Sequence, residues 1–302
     1  MYDLIIIGGG PAAISAGIYS ARKKIKTLMV VKEWGGQAVK TGQIENYPGF
    51  DLISGMELVD KLVNHLKKYN IEIIEYTKVD KIEWIDDSNI KVSADNEVYQ
   101  SKAIIFAAGG IPRKLKIPGE EEFSGKGVAY CSICDAPLFK NKEVAVVGGG
   151  NAGLETALDL VKYASKIHIL EFKQKLGGDK ILQDKIKKEN KISVITSASI
   201  QEIKGDKFVN SLIYNGKTEK NKVLSVQGVF VSIGWIANSS LLKDVVELNE
   251  WKEIKINSCN VASKPNIFAA GDATNISHKQ LIIASGEGAK AALNAYEYLN
   301  KI

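Results

Sequence analysis

Two cysteines with two residues between them, Cys131 and Cys134 in "AYCSICDAPLF", are the side chains of this chain best placed by type and spacing to do chemistry. The chain has only three cysteines. A CxxC disulfide closes a very small ring and exchanges readily, with potentials of thioredoxin-type pairs near about −270 mV. Zinc is the rival use of such a pair, but a structural zinc needs four ligands, usually supplied as two pairs. The remaining candidates, Cys259, His65, His168 and His278, are scattered and unpaired. Asp135 follows the second cysteine directly. It can act as the acid–base group for a departing thiolate or cap the next helix. Cys259 has no partner in sequence and reads as a buried or incidental thiol.

The segment that must position these thiols runs into a glycine-rich loop, and that loop occurs twice. "DLIIIGGGPAAISAGI", from Asp3 to Ile18, is echoed by "EVAVVGGGNAGLETAL", from Glu143 to Leu158. Each copy is a buried strand, a glycine turn and the start of an amphipathic helix, the pattern of a dinucleotide site. Gly8 and Gly148 allow the tight turn, and Gly10 and Gly150 let the backbone approach a pyrophosphate. The small Ala13 and Gly153 let helix and strand pack closely. Pro11, Ala12, Asn151 and Ala152 open helices whose free N–H groups favour an anion. Two motifs imply two nucleotides. Two further strands end in the same manner, "AIIFAAGG" at Gly109 and Gly110 and "PNIFAAGDATN" at Gly271 and Asp272. A carboxylate at such a strand end suits a ribityl or ribose hydroxyl of the first nucleotide. Capping a helix is the plainer role for Asp272.

The strand after the second motif, "SKIHILEFKQKLGGD", ends at Glu171 with Phe172 beside it. A carboxylate there hydrogen-bonds the adenosine ribose hydroxyls and repels a 2′-phosphate. Bidentate phosphate clamping needs arginine, and the segment has none. The spacing therefore predicts NADH rather than NADPH. In the first half, "TLMVVKEWGGQ" puts Lys32 near the corresponding place with Glu33 beside it, which leaves that ribose contact open.

The rest of the sequence bounds the class. A chain of 302 residues with 45% hydrophobic and 25% charged content is of globular composition and long enough for two domains. A net charge of +5, spread as scattered lysine pairs, gives no support to nucleic-acid binding. No apolar run reaches the length of a membrane span. The chain enters its first strand at Met1-Tyr2-Asp3, so no signal peptide is expected, and sparse cysteines point to the cytoplasm.

Together these residues resemble the thioredoxin reductase family of flavoproteins, over the whole chain. The resemblance is carried by GGGPAA at 8–13, GGQ at 35–37, IENYPG at 44–49 and the central CxxCD followed by GGGNAG. AAGDAT at 269–274 and KQLIIASGEGAKAAL at 279–293 complete it. The second half is most similar to the flavoprotein (NADH:peroxiredoxin reductase) subgroup of alkyl hydroperoxide reductase. The resemblance implies an α/β fold of two Rossmann-like, three-layer FAD/NAD(P)-binding domains. Residues 1–112 and 237–302 would form the FAD domain, and 113–236 an inserted NAD(H) domain carrying the CxxC. It assigns FAD to Gly8, Gly10, Pro11, Ala12, Ala13, Gly36, Gln37, Asn46, Gly109, Gly271, Asp272, Lys279, Gln280 and Leu281. NADH falls to Gly148, Gly150, Asn151, Ala152, Gly153, Glu171 and Phe172. Cys134 would attack the flavin, Cys131 the partner's disulfide, and Asp135 would serve the departing thiolate. Ala136 stands where the family usually has glycine.

The implied activity is NADH-dependent reduction of a protein disulfide through FAD and the cysteine pair, by a homodimer. Nicotinamide and disulfide cannot both stack on one flavin, so the resemblance also implies a hinge that alternates them. The alkyl hydroperoxide reductase subgroup carries an N-terminal thioredoxin-fold relay. Here a separate thioredoxin, glutaredoxin-like or peroxiredoxin-linked protein is expected to take its place. The alternatives are a hydrogen peroxide-forming NADH oxidase or diaphorase, which would not need the cysteines, and a non-enzymatic flavin redox sensor. A ferredoxin- or deazaflavin-fed enzyme fits poorly with an intact GGGNAG and Glu171.

Overall fold

The computed structural model describes the chain except residues 41, 42, 45 and 131, and describes residues 40, 43, 133 and 134 by their backbone alone. Cys131 thus lies outside the described residues. The chain divides into two compact units, 1–111 with 236–302, and 112–235.

The first unit opens with β1 (Tyr2–Ile7), α1 (Pro11–Arg22) and β2 (Thr27–Val31). A short hairpin of β3 (Gln43–Ile44) and β4 (Ile53–Ser54) leads into α2 (Gly55–Leu66), whose Glu57 N–H donates to the Ser54 hydroxyl at 3.2 Å. Then come β5 (Glu72–Glu75), β6 (Val79–Asp86), β7 (Asn89–Ala94) and β8 (Glu97–Phe106), with β9 (Gly110–Pro112) at the crossing. The second unit holds β10 (Val128–Ala129), α3 (Ser132–Asp135), β11 (Glu143–Val147), α4 (Asn151–Leu160), β12 (Lys166–Glu171), α5 (Lys180–Lys188) and β13 (Ile192–Thr196). A three-stranded antiparallel sheet of β14 (Ser199–Gly205), β15 (Val209–Asn215) and β16 (Lys222–Ser225) precedes β17 (Gly228–Val231). The return passes through β18 (Trp235–Ala237) to β19 (Ile267–Ala269) and the long α6 (Leu281–Leu299).

The parallel strands of the two larger sheets repeat one another in order, and β7 and β6 extend the first sheet antiparallel from β8. In the first unit the order is β5-β2-β1-β8, with β19 on the far side of β8; in the second it is β13-β12-β11-β17-β10. Registers repeat as well. Leu4 pairs with Thr27 and Ile7 with Val30, while Val144 pairs with Ile167 and Val147 with Leu170, so every partner is 140 residues on. Strands covered on both faces read as continuous apolar runs. In β1, Leu4 and Ile6 pack against one side, with α1 and α6, and Ile5 and Ile7 pack against the other. Among the described residues no helix is long and apolar enough to cross a membrane.

At Gly288, α6 lies close against α1. A methyl group there would stand 1.9 Å from the Ala12 carbonyl oxygen in α1, against backbone that cannot swing aside. Gly288→Ala is expected to destabilise by about 3 kcal/mol, at the upper end of overpacking costs. Gly286→Ala, where an added methyl meets nothing within 4 Å, should be neutral or stabilise by up to about 1 kcal/mol. Urea denaturation measures both, and equal midpoints for the two variants would contradict this packing.

In the second unit His168 of β12 is 6% exposed, with Nδ1 2.8 Å from Ser193 Oγ and Nε2 3.4 Å from Glu143 Oε2. Burial holds its imidazole below the ordinary range, with Glu143 pulling the other way. The folded value therefore lies below the unfolded one of about 6.5. The unfolded chain binds the proton more tightly, so the contribution of His168 is complete above that pH and is lost as pH falls through the folded value. Wild-type stability should drop below about pH 6.5, and His168→Gln should flatten that drop. Parallel stability–pH curves for the two proteins would count against it.

Candidate functional site

The two glycine loops are built alike, and each separates glycines needed for packing from glycines left open. Gly8 (φ 134°) and Gly148 (φ 120°) hold backbone that side chains rarely adopt. A Cβ at either would meet a carbonyl oxygen, Ala107 O at 2.3 Å or Ser232 O at 2.2 Å. Gly10 and Gly150 are different. The nearest atom to a Cβ on Gly10 would be 4.0 Å away, and nothing lies within 4 Å of one on Gly150. These are the N-caps of α1 and α4, and neither helix has a side chain capping its first-turn N–H groups. An open backbone shelf above uncapped amides fits a pyrophosphate. Gly150, Asn151 and Ala152 are exposed, whereas Gly153 is packed against the Gly148 carbonyl. Pro11, Ala12 and Ala13 are buried and form the packed side of the first shelf.

Beyond the shelves the two halves differ. In the second unit Glu171 ends β12 and is 9% exposed. Its Oε2 accepts the Gly149 N–H at 2.5 Å and its Oε1 the Lys173 N–H at 2.8 Å. A carboxylate has about four lone-pair sites, so two remain for a ribose. Phe172 beside it is 75% exposed, free to lie against a base. The shared register puts Val31 in the first unit where Glu171 stands in the second. Lys32 and Glu33 are exposed beyond the strand end. The place that the sequence assigns to Lys32 thus belongs to an apolar side chain.

Around the first shelf, Gly36 has an open face, the nearest atom to a Cβ being Gly10 Cα at 3.9 Å, and nothing lies within 4 Å of a Cβ on Gly109. Gln37 donates from Nε2 to the Gly110 carbonyl at 3.2 Å. Gly271 and Asp272 lie in a 3₁₀ turn after β19. Its N-cap is Ala270, so Asp272 does not cap it. Burial pushes the Asp272 carboxyl up, with Lys279 opposing. A half-buried carboxylate with no hydrogen-bond partner among the described residues fits a hydroxyl-bearing ligand. Lys279 is committed elsewhere: its ammonium donates to Thr274 O at 2.5 Å and pairs with Glu253 Oε1 at 3.0 Å. It braces the 274–279 segment and leaves only its backbone for a ligand. Asn46 Nδ2 donates to Gln280 Oε1 at 3.2 Å, at the N-cap of α6, and Leu281 packs with Tyr47 and Phe50 on the Ile44–Ile53–Leu58 cluster.

The segment from Ser132 onward is helical. Ser132–Asp135 forms the single turn α3, continued by a 3₁₀ turn at Ala136–Phe139 with Pro137 in its first positions, where a missing N–H costs nothing. Cys134 lies in α3, and its side chain is outside the described residues. Asp135 precedes the 3₁₀ turn but makes no capping hydrogen bond, and burial raises its pKa. Cys259 is exposed, not buried.

The sequence reading names Asn151 but not the residues that support it, Asp179, Gly177 and Gly178. Asn151 Nδ2 donates to Asp179 Oδ2 at 2.9 Å, and Asp179 N–H donates to Asn151 Oδ1 at 2.6 Å. Gly177 and Gly178 N–H both donate to Gly149 O, at 2.8 and 3.0 Å. The stretch after Glu171 is therefore stitched down onto the phosphate shelf. The "GGD" before α5 carried that signal as a loop-and-cap pattern.

A doubled dinucleotide-binding α/β architecture, with a CxxC motif in the sequence of the second unit, defines a two-nucleotide disulfide oxidoreductase. The family model described as pyridine nucleotide-disulphide oxidoreductase matches residues 2–295, and the chain belongs to that family. Membership brings FAD and a pyridine nucleotide as cofactors. A subunit of alkyl hydroperoxide reductase from Staphylococcus aureus (strain MRSA252) is 43% identical over 300 residues, covering 99% of this chain. The chain spans 59% of that relative's length. Thioredoxin reductase of Lactococcus lactis, in the FR conformation, superposes with a TM-score of 0.90 at 36% identity over 100% of both chains. The T. acidophilum thioredoxin reductase does so at 0.86, with 35% identity and 98% of each chain covered.

Proposed function

We propose that this protein passes electrons from NADH through FAD to the Cys131–Cys134 disulfide, and on to the disulfide of a thioredoxin-like or peroxiredoxin-linked protein. One observation supports this above the rest. The helical turn Ser132–Asp135, which follows the first cysteine in the chain, is hydrogen-bonded to the helix of the second glycine loop, Ser132 Oγ donating to Asp159 Oδ2 of α4 at 2.8 Å. Donor site and thiol pair belong to one folded unit.

Bound FAD would take hydride from NADH and return the electron pair to a disulfide. The chain's own residues divide the remaining work. Gly8, Gly10, Gly36 and the α1 amides hold the FAD diphosphate, Asp272 a ribityl hydroxyl, and Asn46 with Gln280 the ring end. Gly148, Gly150, Asn151, Ala152 and Gly153 form the NADH shelf, with Glu171 on the adenosine ribose and Phe172 on the base. Cys134 would be the thiol that exchanges electrons with the flavin, Cys131 the one that takes the partner's disulfide, and Asp135, whose burial favours its protonated form, would supply the proton to the departing thiolate.

The test is anaerobic mixing of the flavin-loaded protein with NADH, then with a small aromatic disulfide or oxidised thioredoxin. Thiol release in proportion to NADH consumed is expected. Consumption that occurs only with oxygen, and leaves every disulfide intact, would assign the protein to the oxidases instead.

A further inference from the structure

Both chain neighbours of Cys131 are fastened through their side chains to carboxylates. Tyr130 donates its hydroxyl to Glu120 Oε1 at 2.9 Å, and Ser132 donates to Asp159 Oδ2 at 2.8 Å. Neither carboxylate is an ordinary solvated group. Glu120 is 2% exposed and also accepts the backbone N–H groups of Leu115, at 2.8 Å, and Lys116, at 2.6 Å. It ties the residue before Cys131 to a turn in which Lys116 is left-handed, with φ 59°. Asp159 lies about two turns along α4 from Asn151. Burial pushes its carboxyl up, while the Ser132 hydroxyl and Lys162 oppose that. Ser132 itself is 8% exposed, so its hydroxyl needs an internal partner.

Removing a hydroxyl partner from a buried acceptor costs on the order of 1–3 kcal/mol. The Tyr130–Glu120 bond has a buried acceptor and the Ser132–Asp159 bond a buried donor, so both residues next to Cys131 in the chain are tied to the fold. We propose that Glu120 and Asp159 are positioning residues for the Cys131–Cys134 pair. Through Tyr130 and Ser132 they clamp the peptide before and after Cys131 and fix how the pair is presented. The inference rests on the reading of this pair as the redox centre. Neither carboxylate needs to touch a thiol. Misplacement of a reacting group by about 1 Å can cost on the order of 10²-fold in rate, so a loosened clamp should slow thiol–disulfide steps and spare nucleotide binding.

Ser132→Ala and Tyr130→Phe each delete one hydroxyl while keeping the fold-forming bulk. In the full flavin-loaded protein, the KM for NADH should stay within about twofold, and kcat for disulfide reduction should fall roughly five- to tenfold. Ser132→Thr, which restores the donor, should recover most of the loss. A second readout needs no turnover. The reduced protein is alkylated with iodoacetamide, and labelling at Cys131 and Cys134 is mapped by peptide mass spectrometry. The ratio of the two should shift at least about threefold in both deletion variants and return in Ser132→Thr. An unchanged ratio in both variants overturns the clamp. A parent protein that reduces no disulfide refutes the proposed function, while the labelling ratio still decides the clamp.

Discussion

Cys131→Ser should lose NADH-dependent disulfide reduction by about a thousandfold or more, because thiol pairs act as a unit and removing one member removes the route. The same variant should still have its flavin bleached by NADH at the parental rate. That half of the chemistry needs only the shelf at Gly148–Gly153, the ribose carboxylate of Glu171 and the FAD shelf of the other unit. Cys134→Ser should show the same split. Stopped-flow absorbance of the flavin under anaerobic conditions, with a coupled disulfide assay on the same samples, measures both halves. Full disulfide turnover by both single variants would remove the cysteines from the electron path.

The second large effect concerns the choice of nicotinamide. In the proposed NADH site the Glu171 carboxylate would meet the adenosine ribose, and the N–H groups of Gly149 and Lys173 hold it in place. A 2′-phosphate would meet a charge that cannot turn away. The ratio of kcat/KM for NADH over NADPH should exceed about a hundredfold, corresponding to about 2.7 kcal/mol. Glu171→Arg should close most of that gap by removing repulsion and adding a bidentate phosphate donor. It should also weaken NADH, since Gly149 N–H loses its acceptor. Glu171→Gln, which keeps one acceptor and no charge, should fall between the two. Steady-state kinetics with both nucleotides decides this, and equal efficiency in the parent protein would sink the assignment.

Much of this site was legible in the sequence because its chemistry is local. The two GGG loops occupy strand–turn–helix contexts set by a few adjacent residues, and the copies superpose down to strand register. The α/β fold with its doubled nucleotide-binding plan follows from those loops and the buried runs around them. Other features depend on tertiary placement. Nothing near Lys32 shows that β2 ends one residue earlier, at Val31; only the pairing of β1 with β2 sets that. Lys279 looks like a ligand cation until the fold brings Glu253 to it. Asp272 looks like a cap until the turn is seen to begin at Ala270. Asp135 likewise looks like a cap, yet it ends α3 and makes no capping hydrogen bond to the 3₁₀ turn that follows. Glu120, thirty-nine residues from Asp159 in the chain, is unremarkable in sequence, and only packing brings the two to Tyr130 and Ser132.

The central claim is that one electron path joins NADH, flavin and the cysteine pair. Anaerobic titration of the air-oxidised, flavin-loaded protein with NADH tests it most directly, because flavin and disulfide each take up two electrons. The parent protein should consume about two equivalents before free NADH accumulates, and Cys131→Ser about one. Consumption of a single equivalent by both proteins would show that the disulfide receives nothing from the flavin, and would contradict the account.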